Sequence, residues 1–119
     1  MPKVNLGEKF ALFEDYWNPR IVGELNDSFI KLAKFKGEFV WHRHPDGDEL
    51  FLVIRGELLI RLRSEEISLT EGEFFIVPRG VEHLPVAHKE AWVLLFELKS
   101  TRNTGNLTEQ RTRTDLERI

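Results

Sequence analysis

Three of the four histidines in this 119-residue chain fall into two short stretches that also carry a glutamate. The first reads Gly37-Glu-Phe-Val-Trp-His42-Arg-His44-Pro-Asp-Gly-Asp-Glu49-Leu-Phe-Leu-Val-Ile-Arg-Gly56, and the second Gly72-Glu-Phe-Phe-Ile-Val-Pro78-Arg-Gly80-Val-Glu-His83. Side chains alternate faces along a strand, so His42 and His44 point one way and Arg43 the other. Pro45-Asp-Gly47-Asp is turn chemistry that reverses the chain, and Glu49 then opens the next strand beside the two imidazoles. His83 arrives from a separate hairpin, aimed by the Pro78-Arg-Gly80 turn. Three imidazoles and one carboxylate suit one divalent transition metal, whether iron, manganese, nickel, zinc, cobalt or copper, and the donor types do not choose among these. Four protein ligands leave two positions open on a six-coordinate ion, which is the requirement for catalysis. Glu49, if it loosens from the metal, is the candidate catalytic base. His88 lies in the polar turn Ala87-His88-Lys89-Glu90 and is not expected to be a ligand. Because imidazole must be neutral to coordinate, metal affinity is expected to fall as pH drops through about 6.

The elements that must position these residues read as strands. Between residues 28 and 97, short apolar runs are cut by turn residues every ten positions or so, the pattern of an antiparallel sandwich or barrel. The runs are 29–35, 49–54, 58–63, 74–77 and 91–98, with a further strand expected over 20–25. Residues 6–13 predict a short helix with Asn5 as its N-cap, ended by Trp17-Asn-Pro19. The chain therefore divides into an N-terminal helix and strand extension (1–27), a barrel (28–98) and a polar C-terminal tail (99–119). From Lys99 to Arg113 apolar residues are nearly absent, which predicts an extended or partly disordered segment. Residues 114–119 predict a last helical turn.

Cysteine is absent and the formal net charge is −3. No thiolate site, disulfide or cysteine nucleophile is therefore available. No basic stripe points to nucleic acid, and no apolar run is long enough for a membrane span or a secretory signal. The expected location is cytoplasmic. Neither a serine–histidine–acid arrangement, a phosphate loop nor a dinucleotide fingerprint is present.

Taken with their spacing, the two stretches resemble the motifs of the cupin superfamily. The first motif has its equivalents in Gly37, His42, His44, Glu49 and Gly56. The second has Gly72, Pro78, Gly80 and His83, with Ala87 where the family carries asparagine. One residue is missing between Gly37 and His42. The gap between the motifs is short, as in compact single-domain microbial cupins, and the tail is similar to small bacterial cupins described loosely as related to mannose-6-phosphate isomerase. The resemblance implies an all-β fold, an antiparallel double-stranded β-helix or jelly-roll barrel, with helix confined to the ends. It covers dioxygenases, isomerases, decarboxylases, sensory domains and storage proteins, so shared fold does not fix function.

Alternation places Val40, Phe51, Val53, Leu58, Ile60 and Leu62 inside the barrel, with Phe74 or Phe75 and then Trp92, Leu94 and Phe96 as further candidates. An apolar barrel with one metal at its mouth suits a small-molecule ligand that chelates through oxygen. The expected function is a metal-dependent enzyme on such a molecule, oxygenase-like or isomerase-like. The alternative is a non-enzymatic ligand-binding or sensor module. Sugar phosphate chemistry would require cations near the metal, for which Arg61 and Arg79 are candidates. A second apolar face, Phe39 and Trp41 with Leu50, Leu52 and Ile54, predicts a homodimer. Its competitor is cover from the N-terminal residues Phe10, Phe13 and Trp17.

Overall fold

The computed structural model describes residues 2–119. It contains one short helix and seven strands, all antiparallel: α1 (Leu6–Phe10), β1 (Arg20–Leu25), β2 (Ser28–Glu38), β3 (Glu49–Arg55), β4 (Leu58–Leu62), β5 (Glu66–Leu69), β6 (Phe74–Val77) and β7 (His83–Leu98). This is the expected jelly-roll barrel with helix at one end. The main sheet runs β1-β2-β7-β3-β6, while β4 joins β5 to the first half of β7. β7 thus stitches the barrel together. Its first residues pair with β4 and its last with β3, while β2 follows both halves.

Asn5 caps α1 as expected, its side chain accepting from the Glu8 amide at 2.9 Å, which satisfies one orphan helix donor. The helix stops at Phe10, shorter than the predicted span. Two strand segments were not expected. β5 is short and polar at alternate positions. The stretch 83–90 continues into β7 although it contains Pro85, which ordinarily argues against a strand interior. Pro85 is tolerated because its carbonyl still accepts from the Phe39 amide at 3.0 Å.

Two apolar clusters sit on opposite sides of β2 and β7. Inside the barrel are Ala33, Phe35, Phe51, Val53, Leu58, Ile60, Val93 and Leu95. Outside, Phe10 at the end of α1 and Phe13 just beyond it pack with Leu32, Ile54, Trp92 and Leu94. The expected face of β7 is therefore reversed. Ala91, Val93, Leu95 and Glu97 are the buried set, and Trp92, Leu94 and Phe96 lie on the other side. Both faces of β7 are apolar, so alternation alone does not orient it. Phe74 is exposed, and Phe75 packs toward the core.

Trp17 and Phe39 also depart from expectation. Neither lies on the outer face. Trp17 stacks on Phe35 and Phe39 with ring centroids 4.3 and 4.6 Å apart, over the barrel interior. Its backbone is left-handed, φ 59°, a strain of about 1–2 kcal/mol for a side-chain-bearing residue. Hydrogen bonds from its amide to Lys34 O and from its indole to Lys36 O, both 2.9 Å, hold it there. Residues 114–119 form no helical turn. Arg118 instead bridges Ile21 in parallel, and Ile119 packs by the outer cluster. Among the described residues no helix is long and apolar enough to cross a membrane.

Candidate metal centre

His42 lies beyond the end of β2, not within a regular strand. A single antiparallel bridge fixes it: the amides of His42 and His83 each donate to the other's carbonyl, at 3.1 and 2.9 Å. Two distant motifs are thereby locked in register. His44 follows in irregular chain whose carbonyl accepts from Gly80 at 2.8 Å. The Pro78-Arg-Gly80 turn is pinned a second time, by Arg79 N donating to the Asp48 carboxylate at 2.9 Å. Glu49 opens β3 on its inward face.

These four residues are buried, and one donor atom from each lies within 4.8 Å of the others. His88 is exposed on the far side of β7 and takes no part. Arg61 is tied to Glu38 at 3.0 Å and Arg79 is exposed, so neither supplies a cation to the cluster.

The hydrogen bonds decide what the rings present. Nδ1 of His42 lies 2.8 Å from Val40 O, and Nδ1 of His83 lies 3.0 Å from Val81 O. A carbonyl only accepts, so each Nδ1 carries the hydrogen and Nε2 is turned toward the cluster. There, Nε2 of His44 and of His83 stand 3.0 and 3.3 Å from the same Glu49 oxygen. For His83 this tautomer sets a lone pair against the carboxylate, an arrangement that suits a cation between them. A divalent ion answers the rings and the carboxylate together, and the backbone-held Nδ1–H groups are the usual way such ligands are oriented. Burial, followed by the neighbouring His83, pushes His42 from 6.5 down to about 4. Its ring thus stays neutral well below the pH of 6 expected for the site.

Two buried ionisable residues here were not foreseen. Glu97 faces Glu49 across the β3–β7 ladder, and Lys31 pairs with Glu97 at 2.7 Å, both side chains fully enclosed. Burial and then the adjacent Glu49 charge push the Glu97 carboxyl well above its ordinary range. Burial acts on Glu49 in the same sense, but the neighbouring His44, followed by a hydrogen bond from Glu97, outweighs it and keeps Glu49 ionised. The signal available in the sequence was parity. Glu97 shares its face with Val93 and Leu95, and Lys31 shares its face with Ala33 and Phe35.

A cavity of about 20 Å³ adjoins the cluster, lined by His42, Glu49 and Glu97, with aromatic walls from Trp17, Phe35, Phe39 and Phe51. That is room for about one water molecule. The C-terminal tail closes it. Asn103 lines the cavity, Thr104 is completely buried, and Asn106 clasps Arg43 through two hydrogen bonds of 3.0 and 2.9 Å.

Residues 29–97 match the family described as the cupin domain. YdbB of Bacillus subtilis (strain 168), an uncharacterized protein, is 39% identical over 87 residues, 64% of this chain and 77% of YdbB. The solved structure of a cupin-2 domain containing protein from Shewanella frigidimarina superposes with a TM-score of 0.80 at 45% identity, covering 81% of this chain and 94% of that one. Over 60 residues the chain is 32% identical to the provisionally named dioxygenase SSO1533 of Saccharolobus solfataricus, spanning 50% of this chain but only 16% of that protein.

Proposed function

This chain belongs to the cupin domain family, and on that premise we propose that it is a metal-dependent enzyme acting on a small organic molecule, with oxygenase-like chemistry. His42, His44, Glu49 and His83 would hold one divalent transition ion. The observation that carries the reading is the convergence of imidazole Nε2 atoms on one Glu49 oxygen in a buried pocket. When bound, the ion would supply Lewis-acid or redox chemistry at its open positions. The protein's own part is to keep Glu49 ionised as a ligand, to hold His42 neutral and to exclude water behind aromatic walls. The low proton affinity of Glu49 makes it a better ligand than general base. The provisional name of the Saccharolobus relative favours oxygenase over isomerase chemistry.

An organic substrate is larger than a cavity of about 20 Å³, so the tail at Asn103 must move aside to admit it. The same closure favours a second reading, a non-enzymatic binding module that senses a very small ligand. Metal analysis of purified variants, followed by oxygen uptake with small phenols and enolisable carbonyl compounds, separates the two. His42→Ala and His83→Ala should each lose most of the bound metal, Glu49→Gln should weaken it at least tenfold, and His88→Ala should leave it unchanged. Substrate-dependent oxygen uptake that disappears in His83→Ala supports the enzyme, whereas ligand binding without turnover supports the module. Equal metal content in all four variants removes both readings. We further propose that the chain pairs with a second copy through the face bearing Phe74 and Ile76, which are exposed on the edge strand β6.

A further inference from the structure

We propose that the chain carries a second binding site, separate from the metal centre, for a small organic anion with a phosphate-like head and an apolar body. The site is a cavity of about 340 Å³ between β1, β2 and the C-terminal tail. Lys99, Arg102, Arg113 and Arg118 stand around it, Lys31 reaches it from below, and Asp115 is the one acidic residue on its wall. The whole chain carries a formal charge of −3, so this cavity reverses the sign of its surroundings.

Partner by partner, the positive charge is only partly answered. Lys31 is taken by Glu97, and Lys99 and Arg118 share the single carboxylate of Glu24 at 2.9 and 2.7 Å. The Arg113 guanidinium donates only to the carbonyls of Gln110 and Thr112. Arg102 donates only to the carbonyls of Gly105 and Leu107 and to the Thr108 hydroxyl. Apart from the buried Lys31–Glu97 pair, four cations face Asp115 and Glu24, an excess of two positive charges. The Glu24 pairs are exposed and contribute little in water, so a ligand dianion displaces them at small cost. Guanidinium forks match the oxygens of phosphate better than a point charge does.

The floor supplies the rest of the specificity. Phe29 lies beneath Lys99 and Arg118, whose charges sit 5.4 and 5.0 Å from its ring centre, and Ile21 and Leu116 complete an apolar base. A site for a bare inorganic ion has no use for such a base. It fits a ligand whose charged end meets the arginines while its body covers Phe29.

The test is calorimetric titration of the full chain at fixed ionic strength, with phenyl phosphate, inorganic phosphate and phenol as probes. Phenyl phosphate should saturate one site, inorganic phosphate should bind more weakly, and phenol should not bind. Arg113→Gln and Arg118→Gln should each weaken phenyl phosphate roughly tenfold, as expected for one charged hydrogen bond. Should either variant fold poorly by circular dichroism, Thr114→Asp places a negative charge on the same wall without removing a cation, and should give the same loss. His83→Ala should bind phenyl phosphate like the parent protein. The proposal is overturned by absence of saturation, by unchanged binding in folded variants, by inorganic phosphate binding as tightly as phenyl phosphate, or by loss of binding in His83→Ala. The last result would move the anion to the metal centre. The proposal does not rest on the metal reading, and either can fail alone.

Discussion

Gly105 is where the tail meets the His42–Arg43 segment, and replacing it with alanine isolates the worth of that contact. Its φ is +57°, and a Cβ there would lie 2.2 Å from Arg43 O, 2.9 Å from Arg43 C and 3.1 Å from His42 Cδ2. Backbone cannot swing away as a flexible side chain can, so either the tail lifts or the His42–Arg43 segment shifts. The left-handed backbone alone costs alanine about 1 kcal/mol. Lifting the tail also forfeits the two Arg43–Asn106 hydrogen bonds, about 1 kcal/mol each. Gly37→Ala is the matched control. Its φ is +84° with nothing within 4 Å of a new Cβ, so only the backbone cost applies. The two variants should differ by about 2 kcal/mol, or roughly thirtyfold in a local opening equilibrium. Native-state hydrogen exchange at the Arg43 and Asn106 amides reads that opening, and a urea melt reads whether the loss is global. Equal exchange and equal melts for Gly105→Ala and Gly37→Ala would refute the idea that the tail is clamped at this point.

Lys31→Met should destabilise the fold by about 3 kcal/mol, because it strands the Glu97 carboxyl in the interior. Lys31→Met with Glu97→Leu should recover much of this in a urea melt, and a fully stable single variant would show the pair to be idle. For metal-free protein, His42 should make stability fall with acid. Between pH 6.5 and about 4 the unfolded chain binds a proton that folded His42 refuses, a loss of about 3 kcal/mol across that window. The raised Glu97 carboxyl acts in the opposite sense above the usual carboxylate range, so the measurement is the difference between the parent and His42→Gln. Identical pH slopes would contradict the burial argument. Pairing of two copies is checked by light scattering. A mass near twice 14.0 kDa is expected, with Phe74→Asp and Ile76→Asp each shifting it toward the monomer, and a monomer throughout the micromolar range would exclude the dimer.

What was legible in the sequence follows from where a local rule has one answer. His42, His44, Glu49 and His83 were readable because turn residues at Pro45, Gly47, Pro78 and Gly80 leave few ways to route the chain, and those routes converge on one cluster. The route was right although its local form differed: His42 is held by a bridge to His83, not by membership of a strand. Alternation oriented β3 and β4, where half-buried outer positions lie opposite a buried inner set. It failed on β7, where Trp92 and Leu94 are as apolar as Val93 and Leu95, and where α1 gives the outer face a partner that no local pattern reveals. That one parity hid Glu97, and with it Lys31. Both look like surface charges until the face of β7 is known, and both are then fully enclosed, Glu97 opposite Glu49. The tail is a different case. Its polarity suggested solvent, yet its polar atoms are spent on backbone: Asn103 reaches Arg111 O, Thr104 reaches Leu107 O, and Asn106 reaches Arg43. A polar segment can close an apolar cavity when its side chains satisfy its own carbonyls and amides, because burial then leaves few groups unpaired. Composition counts such residues as soluble, whereas hydrogen-bond accounting makes them the wall of the site.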